Sequence, residues 1–70
     1  MIIVDVKDLG VIIRKQRKLQ GITQRQAAAL AGVSPRLVSE LERGKATIEI
    51  GRALRVAWAI GLTIDIKDNV

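Results

Sequence analysis

TQRQAAALAGVSPRLVSELERG, residues 23–44, is the stretch whose reading decides the fold. Thr23 is followed three residues later by Gln26, the spacing of a capping box. In such a box the hydroxyl accepts from an orphan N–H of the first turn, and the glutamine reaches back to the cap. A helix is therefore expected over residues 23–31, burying Ala27, Leu30 and Ala31, with alanines small enough to let another helix cross closely. Gly32 supplies a turn and Val33 fills its inside. Ser34 then caps a second helix, and Pro35 takes its first position, where a missing N–H costs nothing. That helix spans residues 34–43 and stops at Arg43 and Gly44.

Working outward, Met1–Val6 is a short β-branched run and reads as a strand over residues 1–6. Asp8 is the expected cap of a first helix over residues 8–20. Leu9, Ile13 and Arg17 share one stripe of it, Ile12 lies beside them, and Gly21 stops it. On the other side Thr47 is the expected cap of a helix over residues 48–60, with Ile50, Ala53, Leu54, Ala57 and Ile60 inward. Past Gly61, residues 62–67 alternate apolar and polar and read as a half-buried strand. The expected fold is one domain over residues 1–70, all-α with short flanking β-strands. An isolated strand would leave half its backbone groups unpaired. The two terminal strands are therefore expected to pair with each other or across a dimer, through Leu62, Ile64, Ile66 and Trp58.

Composition points the same way. A chain of this length buries only about 60% of its unfolded surface, so it needs a staple or a partner. With no cysteine and no histidine, disulfides and most transition-metal sites are excluded, and a second copy is the remaining stabiliser. Twelve Lys and Arg against seven Asp and Glu give a net charge of +5, which favours a polyanion partner. No segment is long enough to span a bilayer and no signal peptide is evident, so the expected location is cytoplasmic. Ser34 and Ser39 have no histidine to activate them and no glycine-rich phosphate loop occurs, so an enzyme is not expected, nor any cofactor or metal. A chain this short also leaves no room for a small-molecule pocket of about 300 Å3.

Two capped helices around a glycine turn form the supersecondary unit that reads duplex DNA. In the second helix of the unit, 100° steps place Ser34, Val38 and Leu41 on one face and Arg36, Ser39, Glu40 and Arg43 on the other, with Leu37 at the edge. A major groove admits such a helix. Arg36 is the candidate for gripping guanine O6 and N7. Glu40 is set either to accept from a cytosine amine or to pair with Arg36 one turn away. Ser39 is a tolerant base contact, and Leu37 is placed for a thymine methyl. Phosphate contacts are expected from Gln24 in a helix first turn and from Arg25, Ser34, Arg43, Lys45 and Thr47 around the reading helix. The basic run over residues 14–18 reads as a solubilising surface, with contact to flanking phosphate as the second reading. A lone amphipathic binder of membranes or partner helices over residues 12–19 is the weaker alternative for it.

The segments Ile22-Thr23-Gln24, Ala27-Ala28-x-Leu30-Ala31-Gly32-Val33-Ser34 and Val38-Ser39-x-Leu41-Glu42-Arg43-Gly44-Lys45 together resemble the lambda-repressor/Cro-like (XRE) helix-turn-helix regulators, over about residues 9–61. Within that group the length and tail are similar to the short antitoxin-type regulators of the HipB class. The resemblance implies a lambda-repressor-like four-helix domain, a homodimer on double-stranded DNA, and repression of its own operon. The alternative role it implies is neutralisation of a toxin protein. It also implies that Gln24 binds phosphate, that residues 35, 36, 37 and 40 face bases, and that Arg17 and Glu42 form a buried ion pair. Pro35 departs from the family's usual polar residue and leaves only van der Waals readout there.

Overall fold

The computed structural model describes residues 2–68, and the first and last two positions lie outside it. Four helices form: α1 over Val6–Leu19, α2 over Gln24–Ala31, α3 over Pro35–Glu42 and α4 over Ile50–Ala59. No strand occurs among the described residues, which corrects the expectation of flanking strands over residues 1–6 and 62–67; Met1 itself lies outside the described residues.

The N-terminal correction has a local cause. Asp5 and Asp8 form a reciprocal capping box: Asp8 N–H donates to Asp5 Oδ1 at 3.2 Å and Asp5 N–H donates to Asp8 Oδ2 at 3.3 Å. Val4 N–H also donates to Asp8 Oδ2, at 2.9 Å, so the backbone donors a strand would need are spent on a helix start. The cap is thus Asp5, with Asp8 at the third helical position. At the other end, Gly61 N–H and Leu62 N–H bond back to the carbonyls of Trp58 and Ala57, closing α4 and seating Leu62 against the core. Leu62 therefore packs, half-buried, against the core of its own chain.

The start of α4 is also displaced. Ile48 N–H bonds the Lys45 carbonyl at 3.1 Å, which closes residues 45–48 into a turn and leaves Thr47 outside the helix. Glu49 caps instead, accepting from Gly51 N–H at 2.8 Å and Arg52 N–H at 2.9 Å. The α2 and α3 starts follow the caps named above. Gln26 N–H donates to Thr23 Oγ1 at 3.1 Å and Thr23 N–H to Gln26 Oε1 at 2.8 Å. Leu37 N–H donates to Ser34 Oγ at 3.1 Å, and Gly32 takes φ of +69° between the two helices.

The core is built around Ile13, Val38, Leu41, Val56 and Ile60, with Ala27, Ala53 and Ala57 fully buried between them. α3 packs on α1 and α2, and α4 packs chiefly on α2. The alanine faces decide how α2 and α4 are rotated. Ala28 is buried, whereas Leu30, expected inward, is 63% exposed. In α4, Ala53, Val56, Ala57 and Ile60 face in, whereas Ile50 and Leu54, also expected inward, face out. Alanine contacts let helix axes approach to the short end of the 8–10 Å range, and a leucine in the same seam would force them apart. Gln16 Nε2 and Gln20 Nε2 both donate to the Ile60 carbonyl, at 3.2 and 2.6 Å, and lash the end of α1 to the end of α4.

Candidate nucleic-acid interface

α3 is held from behind and at both ends. Val38 and Leu41 are wholly buried. At the C-terminus, Lys45 N–H bonds the Glu40 carbonyl and Gly44 N–H the Leu41 carbonyl, with Gly44 at φ of +78°. A side chain at Gly44 would also strike the Cα and side chain of Lys7. Only an outward strip of α3 is left to meet a partner.

On that strip Pro35 and Arg36 stand in solvent, the Arg36 side chain 84% exposed. Glu40 is mostly covered. Its Oε2 accepts from Lys45 Nζ at 2.8 Å and lies 3.8 Å from Arg36 Nε. The hydrogen bond from Lys45, together with the charges of Lys45, Arg36 and Arg43, holds the Glu40 carboxyl below its ordinary range. Arg43 Nη1 donates to Ser39 Oγ at 2.7 Å. Leu37 is only 8% exposed and belongs to the core. That corrects its assignment as a base contact: the helix is rolled so that the edge position turns inward.

Behind the strip lies the ion pair. Arg17 Nε donates to Glu42 Oε2 at 2.7 Å and Arg17 Nη2 to Glu42 Oε1 at 2.9 Å, while Arg17 Nη1 reaches the Ile22 carbonyl at 2.9 Å. Burial pushes the Glu42 carboxyl up, but the hydrogen bonds from Arg17 and Gln24 and the charges of Arg17 and Arg14 outweigh it, and the group sits below its ordinary value. Gln24 is tied into the pair, its Nε2 donating to Glu42 Oε1 at 3.1 Å. One amide hydrogen and the backbone N–H groups of Gln24 and Arg25 remain for an anion, that of Gln26 being spent on Thr23.

Of the other residues named for phosphate, Arg25 is exposed on the first turn of α2, and Ser34 spends its oxygen as an acceptor for Leu37. Lys45 is engaged with Glu40. Thr47 loses its helix-end role, because the N–H groups that would have met an anion at the start of α4 already face the Glu49 carboxylate. One residue went unread in the sequence: Gly10 is buried where α1 crosses α3, and no periodicity marks a helical glycine as a crossing point. Arg14, read only as part of a basic run, rims a cleft beside Glu42. Among the described residues no cluster of His, Cys, Asp or Glu suited to a metal ion occurs. No helix is long and apolar enough to cross a membrane.

The helix-turn-helix family model matches residues 13–67. The chain belongs to that family. Membership places it with the DNA-binding transcriptional regulators of the XRE type. It is also 42% identical over 59 residues, covering 84% of this chain and 78% of the relative, to an uncharacterized HTH-type transcriptional regulator, y4mF, of Sinorhizobium fredii.

Proposed function

We propose that this helix-turn-helix chain is a homodimeric repressor that lays α3 in the major groove of a pseudo-palindromic operator. The observation that supports it most is the division of α3: Val38 and Leu41 are sealed in the core while Arg36 projects into solvent from the first turn, where reading helices meet base edges. Arg36 reads guanine, with Pro35 against a neighbouring base. Glu40 serves chiefly to fix Lys45 and Arg36, and Arg25, Gln24, Arg43 and Lys45 hold the backbone.

Selection of bound sites from random duplexes tests this. Two half-sites about 10 bp apart are expected, with one guanine position whose preference relaxes in Arg36→Ala by about 1–3 kcal/mol at unchanged melting temperature. Unchanged preference would remove Arg36 from the reading set. If each protomer neutralises roughly four phosphates, the log–log salt slope of the dimer is about −7. A slope shallower than about −2 would mean the phosphate contacts are misassigned.

The dimer rests on α4. Ile50, Leu54 and Trp58 recur at every fourth residue and are 58%, 42% and 75% exposed, forming an apolar stripe, and Ile64 and Ile66 of the tail are exposed as well. Trp58→Glu is expected to shift sedimentation from dimer to monomer and to weaken operator binding with it. A variant that still sediments as the dimer would place the interface elsewhere. The toxin-neutralising alternative loses its structural argument, since the tail that prompted it forms no strand among the described residues.

A further inference from the structure

A cleft of about 230 Å3 opens where α1, the start of α2 and the end of α3 meet. Its floor is the Arg17–Glu42 pair with Gln24, and its rim carries Arg14 and Lys18 from α1 and Ser39 and Arg43 from α3. Arg14 and Lys18 lie one helical turn apart and are exposed, and neither side chain makes a hydrogen bond or ion pair among the described residues. Arg43 spends one N–H on Ser39 and keeps the rest. With Arg17 and Glu42 cancelling, three cations converge on an open concavity that holds no second carboxylate. Elsewhere Arg36 and Lys45 share Glu40, and Arg52 faces Glu49. Three like charges around one concavity repel one another, and Glu42 beneath them is already matched by Arg17, so an anion from outside is favoured there.

We propose that this cleft seats one phosphodiester of the duplex, gripped by Arg14, Lys18 and Arg43, which makes α1 a backbone-binding element. This rests on the reading of α3 as the groove helix. Ser39 belongs to that helix and Arg43 caps it, so the strand flanking the occupied groove is the polyanion that the cleft meets. Guanidinium forks suit the paired oxygens of a phosphodiester, and the ammonium of Lys18 adds a point charge.

The test uses the full chain and fluorescence anisotropy against a selected duplex and a scrambled one, between 50 and 200 mM salt. Arg14→Gln with Lys18→Gln is expected to weaken both duplexes about tenfold at the lower salt and to flatten the slope by about one per bound protomer, with melting temperature unchanged. Lys15→Gln with Arg55→Gln removes the same charge outside the cleft and leaves the slope as it was. Unchanged affinity and slope in the cleft variant, equal flattening by the control, or weakening confined to the selected duplex would each overturn the proposal while leaving the groove reading intact. A wild-type chain that binds no duplex at 50 mM salt would sink the groove reading itself. Inorganic phosphate that raises the melting temperature of wild type alone, with DNA slopes equal, would give the cleft to a small anion and overturn the duplex assignment.

Discussion

Arg17→Ala is expected to bring the domain to the edge of unfolding at room temperature, at a cost of about 3–5 kcal/mol. A chain of this size holds roughly 4–10 kcal/mol in total. The substitution leaves the Glu42 carboxylate, whose side chain is only 4% exposed, with Gln24 as its remaining donor. It also strips a donor from the Ile22 carbonyl. Replacing both partners, Arg17→Met with Glu42→Leu, is expected to recover most of the loss, because the penalty belongs to the orphaned charge. Urea denaturation measures both variants, and a single substitution costing under about 1 kcal/mol would remove the pair from the fold's supports. The same carboxyl gives a pH signature. Its folded value lies below the ordinary one of about 4.3, so its contribution is complete above that pH and is lost as pH falls through the lower folded value. Glu42→Gln is expected to melt lower than wild type at pH 7 and to show a shallower decline toward pH 3.

Gly10→Ala is expected to destabilise by about 1–3 kcal/mol or more, against the direction of helix propensity, which favours alanine by about 1 kcal/mol. A methyl at residue 10 would run into the Leu41 carbonyl oxygen and the Glu42 backbone at 3.2 Å. These are main-chain atoms of α3, held by the core and by the Gly44 stop, and have nowhere to go. α1 must lift away from α3 and open the seam around Ile13 and Leu41. A chemical denaturation midpoint equal to or above that of the parent would show that the crossing is looser than the geometry demands.

Much of this molecule was legible in the chain because its stops and starts are chemical. Thr23 with Gln26, Ser34 with Pro35, and the glycines at 21, 32, 44 and 61 each satisfy helix-end groups by a known bond, so their meaning survives without tertiary context. Faces were harder. α2 and α4 carry apolar residues on more than one side, and spacing alone cannot say whether alanines or leucines turn inward. Close packing chose the alanines, which put Leu30, Ile50, Leu54 and Trp58 outside and Leu37 within. The terminal runs were misread for a related reason: β-branched residues spoke for strands, while Asp5, Asp8 and Gly61 had already committed the neighbouring backbone to helix ends. In the reading strip the sequence named Arg36 and Glu40. It could not tell that Glu40 is engaged by Lys45, or that Arg14 faces the same cleft as Arg43.

The paired glutamine amides on the Ile60 carbonyl carry a consequence for the operator. They join the end of α4, which bears the outer apolar stripe, to the end of α1, which bears the cation-rimmed cleft. In the dimer proposed above, that tie couples the two surfaces, and a mismatch between the two protomers and an operator is expected to be absorbed by the DNA. Sites whose central steps bend easily, TA or CA, are then expected to outcompete stiff A-tract centres even where no side chain touches the intervening base pairs.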